Sequence, residues 1–252
     1  ISIYDNIKTK EISRYFFKIN QIIKDKLKNL SFFDTQIFRR NNYDLKCDRH
    51  FKVFNKFNVI PKYCFSCFKI QIELKTVTQL FKLFFIFDQL KLPKDNIRKC
   101  FIELRPGIPG TYKGLIYCAS MNEAKDVFSI LSPFVRKFIK EDLNIAIKRG
   151  CTEFDLAFPG YKDTNKLDKI YFNNDWENFE KIIDTEIING SKKGKKVFNR
   201  TLSGTSLGDV LIMNNWLNYA KLIGDKSYND ISSEMFYSQY IYNIIKKRDN
   251  KN

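Results

Sequence analysis

Residues 64–90 read CFSCFKIQIELKTVTQLFKLFFIFDQL, an apolar extended run (64–74) followed by a helix-like run (76–90). A strand-length apolar segment leading into a helix-length one is the opening of a β-α unit. The helical half carries Lys82 and Asp88 between Leu80 and Leu90 and is too short to span a bilayer, so it reads as a buried helix and no membrane span is expected.

Toward the carboxyl end, RKCFIELRP (98–106) and TYKGLIYCAS (111–120) read as strands joined by the turn GIPG. MNEAKDVFSILSPFVRKFIKEDLNIAIKRG (121–150) reads as largely helical and CTEFDLAFPG (151–160) as another strand. The order is β-α-β-β-α-β, so the expected fold class is α+β with a ferredoxin-like core. Between Ile7 and Leu30, the residues Ile12, Tyr15, Phe16, Ile19, Ile22, Ile23 and Leu27 recur at three and four and predict an N-terminal amphipathic helix. Beyond the core come a basic turn, NGSKKGKK (189–196), a link, LSGTSLG (202–208), and helical spacing through VLIMNNWLNYAKLIG and EMFYSQYIYNIIKK, which predict a C-terminal helical region. The chain divides into residues 1–63 (N-terminal helix and the first half of a zinc site), 64–160 (the core) and 161–252 (an acidic segment, the basic turn and the C-terminal helices).

The formal charge is +16, from 44 Lys and Arg against 28 Asp and Glu. Residues 1–150 hold 29 basic and 14 acidic groups, residues 151–190 reverse the balance with 4 and 9, and residues 191–252 return to 11 and 5. A basic excess of this size points to a polyanionic partner, nucleic acid first, while the local reversal points to a separate face or partner. The plain alternative is an AT-rich coding bias that raises Lys, Asn, Ile, Phe and Tyr without any function.

Cys47 and His50 form a Cys-x-x-His half, and Cys64 and Cys67 a Cys-x-x-Cys half thirteen residues after it. His50 is the only histidine in the chain. Two such turns each present two ligands to one side of a tetrahedral ion, so Cys47, His50, Cys64 and Cys67 are the expected ligands of zinc, structural because four protein ligands leave no open position. With 252 residues the chain buries a core without metal, and any zinc acts locally. The plain alternative is a pair of buried cysteines and a surface histidine. Cys100, Cys118 and Cys151 sit in apolar runs and read as small core residues. Six cysteines in a chain of this length, two of them in a Cys-x-x-Cys pair, point to an intracellular, reducing compartment.

YKGLIYCAS (112–120), on the third strand of the β-α-β-β-α-β order, resembles the RNP1 stretch of RNA-recognition motifs. Lys113, Gly114 and Tyr117 take the places of the basic residue, the glycine and an aromatic, and MNEA is similar to the start of the second helix of that family. Leu115 departs from the pattern, and FKIQIEL lacks the aromatic of RNP2. The resemblance implies single-stranded RNA stacked on the sheet. Tyr112, Lys113 and Tyr117 are therefore the candidate nucleic-acid residues.

TEFDLAF places Glu153 and Asp155 at alternate positions, on one face if the segment is a strand, with Glu103 and Glu73 in reach across a sheet. Gathered carboxylates of that kind hold divalent metals in nucleotidyl transferases, and the expected catalytic set of this second reading is Glu153, Asp155 and Glu103. No P-loop, GxSxG, HExxH or GxGxxG occurs. The expectation is a nucleic-acid-binding protein, RNA before DNA, with a structural zinc. A metal-dependent phosphoryl or nucleotidyl transferase is the second reading, and a basic subunit of a large assembly the third.

Overall fold

The computed structural model describes residues 8–23, 33–40, 45–167, 170–190, 204–232 and 238–249. Its elements in chain order are α1 (Thr9–Ile23), β1 (Gln36–Arg39), α2 (Cys47–Phe57), α3 (Lys62–Ser66), β2 (Phe68–Leu74), α4 (Val77–Gln89), β3 (Arg98–Ile102), β4 (Tyr112–Cys118), α5 (Met121–Phe138), β5 (Asn144–Arg149), α6 (Trp176–Gly190), α7 (Leu207–Leu222) and α8 (Gln239–Asp249). Short 3₁₀ helices occupy Thr152–Leu156 and Lys226–Asp230. The protein is mixed α+β, with one five-stranded antiparallel sheet in the order β1-β3-β4-β2-β5. Among the described residues no helix is long and apolar enough to cross a membrane.

Alternation along the strands gives the sheet two unlike faces. On β2, Ile70 and Ile72 enter the main core, and Lys69, Gln71 and Glu73 lie on the opposite face. On β4, Ile116 and Cys118 join the core, and Lys113, Leu115 and Tyr117 lie opposite. Helix α4 buries Leu80, Phe81, Leu83, Phe84, Ile86 and Phe87. It is apolar nearly all round because it runs between the sheet and the outer helices α1 and α7. The Thr76 hydroxyl caps it by accepting the Gln79 N–H at 3.3 Å, and Ser120 caps α5 by accepting the Glu123 N–H at 3.1 Å.

Gly114 is the point at which α4 meets β4. A Cβ there would stand 2.2 Å from Leu83 Cδ2 and 3.1 Å from Phe87 Cζ, so a side chain at residue 114 lifts the helix from the sheet.

Strand β1 has no counterpart in the sequence reading, and it sets the sheet order apart from a four-stranded β-α-β-β-α-β sheet. It extends the β3 edge, with Gln36 opposite Phe101 and Arg39 opposite Arg98. Arg39, almost wholly buried, pairs with Asp88 of α4 at 2.8 Å and with Asp209 of α7 at 3.2 Å, and donates to the Gly204 carbonyl at 2.5 Å. Two carboxylates and a carbonyl offset the desolvation of this one cation. Asp209 also closes a capping box with Ser206 at the start of α7.

Two expectations are corrected. Helix α5 ends at Phe138, and the last strand is Asn144–Arg149, inside the stretch read as helical. CTEFDLAFPG is not a strand: Thr152–Leu156 is a 3₁₀ helix. The alternation of TEFDLAF matches a strand period, but β5 already holds the edge of β2, and the chain turns off the sheet after Gly150. Phe154 then drops into an aromatic cluster, whereas Leu156 is 92% exposed, which no half-buried strand would allow.

That cluster forms beside the sheet. Phe154 meets Phe51, Phe54 and Tyr161, and Phe65 and Trp176 close around it. Arg149 joins it to the sheet, its guanidinium 4.9 Å from the Phe68 ring and 5.0 Å from that of Tyr161. The acidic stretch has its partner within the chain. On α6, Asp184 and Glu180 each take Arg49 of α2 at 2.5 Å, Glu186 pairs with Lys56, and Glu177 takes Lys62 of α3 at 2.6 Å.

The N-terminal helix is present as α1, with Ile12 and Phe16 in the core, and α7 and α8 supply the C-terminal helical region. Residues 24–30 of the expected first helix, 191–196 of the basic turn and 234–237 lie outside the described residues.

Substituting Gly114→Ala lowers stability by about 1–2 kcal/mol: overpacking costs about 1–3 kcal/mol, and about 0.4–1 kcal/mol returns through a stiffer unfolded chain. Urea denaturation shows this as a lower midpoint at unchanged slope; an unchanged midpoint means α4 does not seat there.

Candidate functional site on the outer face of the sheet

The face turned away from α4 and α5, the outer face, is ordered in rows by strand register. Tyr117 of β4 lies opposite Lys69 of β2, and Lys69 opposite Lys148 of β5. The next row runs Phe38, Lys99, Leu115, Gln71 and Ala146, and the next Gln36, Phe101, Lys113, Glu73 and Asn144. Cations from three strands thereby converge near one half-buried tyrosine.

Each lysine is held differently. Lys69 donates to the Gly150 carbonyl at 2.9 Å, and burial pulls its pKa down. Lys99 donates to Gln36 Oε1 at 2.9 Å and lies 4.8 Å from the centroid of the Phe101 ring. Burial, then the charges of Lys69 and Arg105, lower its pKa to about 8. Lys148, part-exposed, stands 3.7 Å from Glu73. Burial raises the pKa of the Tyr117 phenol, and the nearby thiols of Cys47, Cys151 and Cys67 add to the effect.

Of the candidate nucleic-acid residues, Tyr117 is the one on this surface that is half-buried rather than buried. Tyr112 is fully buried on the core side, away from this face, where its hydroxyl donates to Asp225 at 2.7 Å. Lys113 lies on the outer face but is buried, and its charge is met within the chain by Glu103 at 3.2 Å. The alternation that puts Tyr117 outward puts Tyr112 inward, because five positions separate them.

The carboxylates are dispersed and neutralised. Burial alone would push Glu103 up, but hydrogen bonds from Arg105 and Lys113 hold its carboxyl down at a pKa of about 2. Arg105 spans Glu103 at 2.8 Å and Glu153 at 3.4 Å, so one guanidinium meets both carboxylates. Asp155 is tied to Lys162 at 2.7 Å and accepts the Gly160 N–H at 2.9 Å. Among the described residues no group of three or more His, Cys, Asp and Glu side chains is placed to hold a metal ion as the side chains stand.

The expected zinc residues separate differently. His50 is buried on α2 with its ring stacked on Tyr63, centroids 5.4 Å apart, and the hydrogen bond from Arg49 holds the nearby Asp184 carboxyl down. Cys64 is buried in the aromatic cluster, and Cys151, half-buried, packs against the same cluster. Burial pushes Cys67 up to about 12. Cys100 and Cys118 are core residues, and all six cysteines are free thiols. Lys69, Lys99, Lys148 and Cys151 were missed, although strand alternation marks the lysines once the register is known.

No family model, no curated protein and no solved structure matches the chain.

The depressed pKa of Lys99 has a sign that can be checked. The unfolded chain binds this proton up to about pH 10.4, whereas the folded chain releases it from about 8, so stability rises with pH between those values. Lys99→Met keeps the stem over Phe101 and removes the charge. The variant has a higher urea midpoint than the native chain at pH 7, and the gap narrows by pH 10; a gap constant across that range refutes the assignment.

Proposed function

We propose that the protein binds single-stranded nucleic acid, RNA before DNA, on the outer face of a ferredoxin-like core, with a base stacked on Tyr117 and phosphates met by Lys69, Lys99 and Lys148. The observation that carries this reading is the row in which Tyr117 lies opposite Lys69 and Lys69 opposite Lys148, with Lys99 one row behind on β3. An aromatic ring among cations fits a single strand, whose bases are free to stack while its backbone runs past the charges. The strand order β3-β4-β2-β5, with α4 and α5 between sequence neighbours, supports the ferredoxin-like description, and β1 on the β3 edge departs from it. The α6 carboxylates are met by cations of α2 and α3, so the basic excess of the chain, +16 in all, lies elsewhere, which also favours a polyanion.

The test is a titration against short single-stranded RNA at several salt concentrations. Affinity falls with a log–log slope of roughly −0.7 per phosphate contact, or about −2 for three lysines. Lys148→Ala reduces the slope by about 0.7. Tyr117→Ala costs on the order of 1–3 kcal/mol of binding, whereas Tyr112→Phe, which removes only a buried hydroxyl, leaves affinity unchanged. A flat salt response, or equal losses from Tyr117→Ala and Tyr112→Phe, ends the reading and favours lysine enrichment without function.

A further inference from the structure

Four of the six cysteines, from three separate stretches of chain, lie on elements that meet beside the sheet at the aromatic cluster. Cys64 lies within α3, and Cys67 is the residue that ends it, so one Cys-x-x-Cys turn presents both thiols. Cys151 arrives through the sheet: Phe68 lies opposite Arg149, and the Gly150 N–H donates to the Cys67 carbonyl at 2.9 Å. Gly150 keeps that space open, since a Cβ there would stand 2.3 Å from the Cys67 sulfur. Cys64 and Cys151 pack in the same aromatic cluster, together with Phe51 of α2, one turn beyond Cys47, and the neighbouring thiols Cys151, Cys67 and Cys47 act together with burial to raise the Cys64 pKa.

We propose that Cys47, Cys64, Cys67 and Cys151 are the four ligands of a thiophilic divalent cation, zinc above others, with Cys151 rather than His50 completing the set. Four thiolates favour a soft or borderline ion in a tetrahedron over magnesium or calcium. As they stand the thiols are not at coordinating positions. Metal binding therefore requires the sulfurs to turn about their single side-chain torsions, each of which has three staggered wells. A dication with four thiolates carries two net negative charges, and Lys69, Lys99 and Arg149 stand close enough to act on these thiols. The ion would join α2, α3 and the chain leaving β5, three segments that no disulfide joins. The Tyr63 ring stacked against His50 occupies one face of the imidazole. The inference does not depend on the nucleic-acid reading, and its readout is metal content rather than RNA affinity.

The full chain, purified under reducing conditions without chelator, is expected to contain one zinc per chain by elemental analysis. Replacement by cobalt(II) should give the thiolate-to-metal charge-transfer band and the intense visible absorption of a tetrahedral site. In competition with a chromophoric chelator, Cys151→Ser should weaken zinc binding by more than about tenfold, since loss of outer-shell partners alone costs about 10–100-fold. His50→Ala and Cys118→Ser should leave it unchanged. If Cys151→Ser does not fold, mass-spectrometric mapping of thiol alkylation in the native chain replaces it: zinc should slow modification at residues 47, 64, 67 and 151, and a chelator should restore it. Thiols that react equally with and without zinc overturn the proposal. So does a metal-free protein with no cobalt spectrum, or a His50→Ala loss as large as that of Cys151→Ser.

Discussion

The structure depends on the contact between α4 and β4 at Gly114. Leu83 and Phe87 occupy the volume a side chain would need there, so the helix lies directly on the central strand. That contact fixes which face of β4 is covered. Ile116 and Tyr112 go inward with Gly114, and Lys113, Leu115 and Tyr117 go outward, because side chains alternate along a strand. The neighbouring strands follow by register, and with them the row that sets Tyr117 beside Lys69. Arg39 and Asp225 reinforce the arrangement from either end of α4. Arg39 binds Asp88 in its last turn, and Asp225 accepts the Val77 N–H at 2.7 Å in its first while also taking the Tyr112 hydroxyl.

Charge is partitioned between two regions. The carboxylates of α6 meet Arg49, Lys56 and Lys62 along α2 and α3, a lattice of local ion pairs that individually contribute about 0–1 kcal/mol where exposed. Among the described residues, Lys69 and Lys99 on the outer face hydrogen-bond to a carbonyl and an amide oxygen rather than to a carboxylate. The sheet holds these like charges together, and the lowered pKa values record the cost. A surface in that condition gains from any anion that restores a counter-charge. Glu103 shows the opposite outcome on the same face: Arg105 and Lys113 satisfy it, and it is correspondingly acidic.

Much of the architecture follows from local pattern. The strand and helix of residues 64–90, the strands at 98–106 and 111–120, the opening amphipathic helix and the helical C-terminal region are all written in periodicity, because each buries one stripe or face against a common core. Where the pattern misled, a tertiary contact outweighed it. TEFDLAF alternates like a strand, yet its Phe154 is claimed by Phe51, Phe54 and Tyr161, and the strand edge it needed is held by Asn144–Arg149. Strand β1 is four residues long, too short for a period to register, and rests on the burial of Arg39 against two distant carboxylates.

The sequence alone determined the α+β class, the basic character and the candidacy of Tyr117 and of Cys47, Cys64 and Cys67, since composition, spacing and alternation are properties of neighbours along the chain. Only the tertiary structure decided that Tyr112 is buried, that Lys113 is paired with Glu103, that Arg105 reaches across to Glu153, and that Cys151 packs against the cluster that holds Cys64. Each of these is a meeting of residues between ten and about a hundred positions apart, and such meetings are set by strand register and helix seating, which no local window of sequence contains.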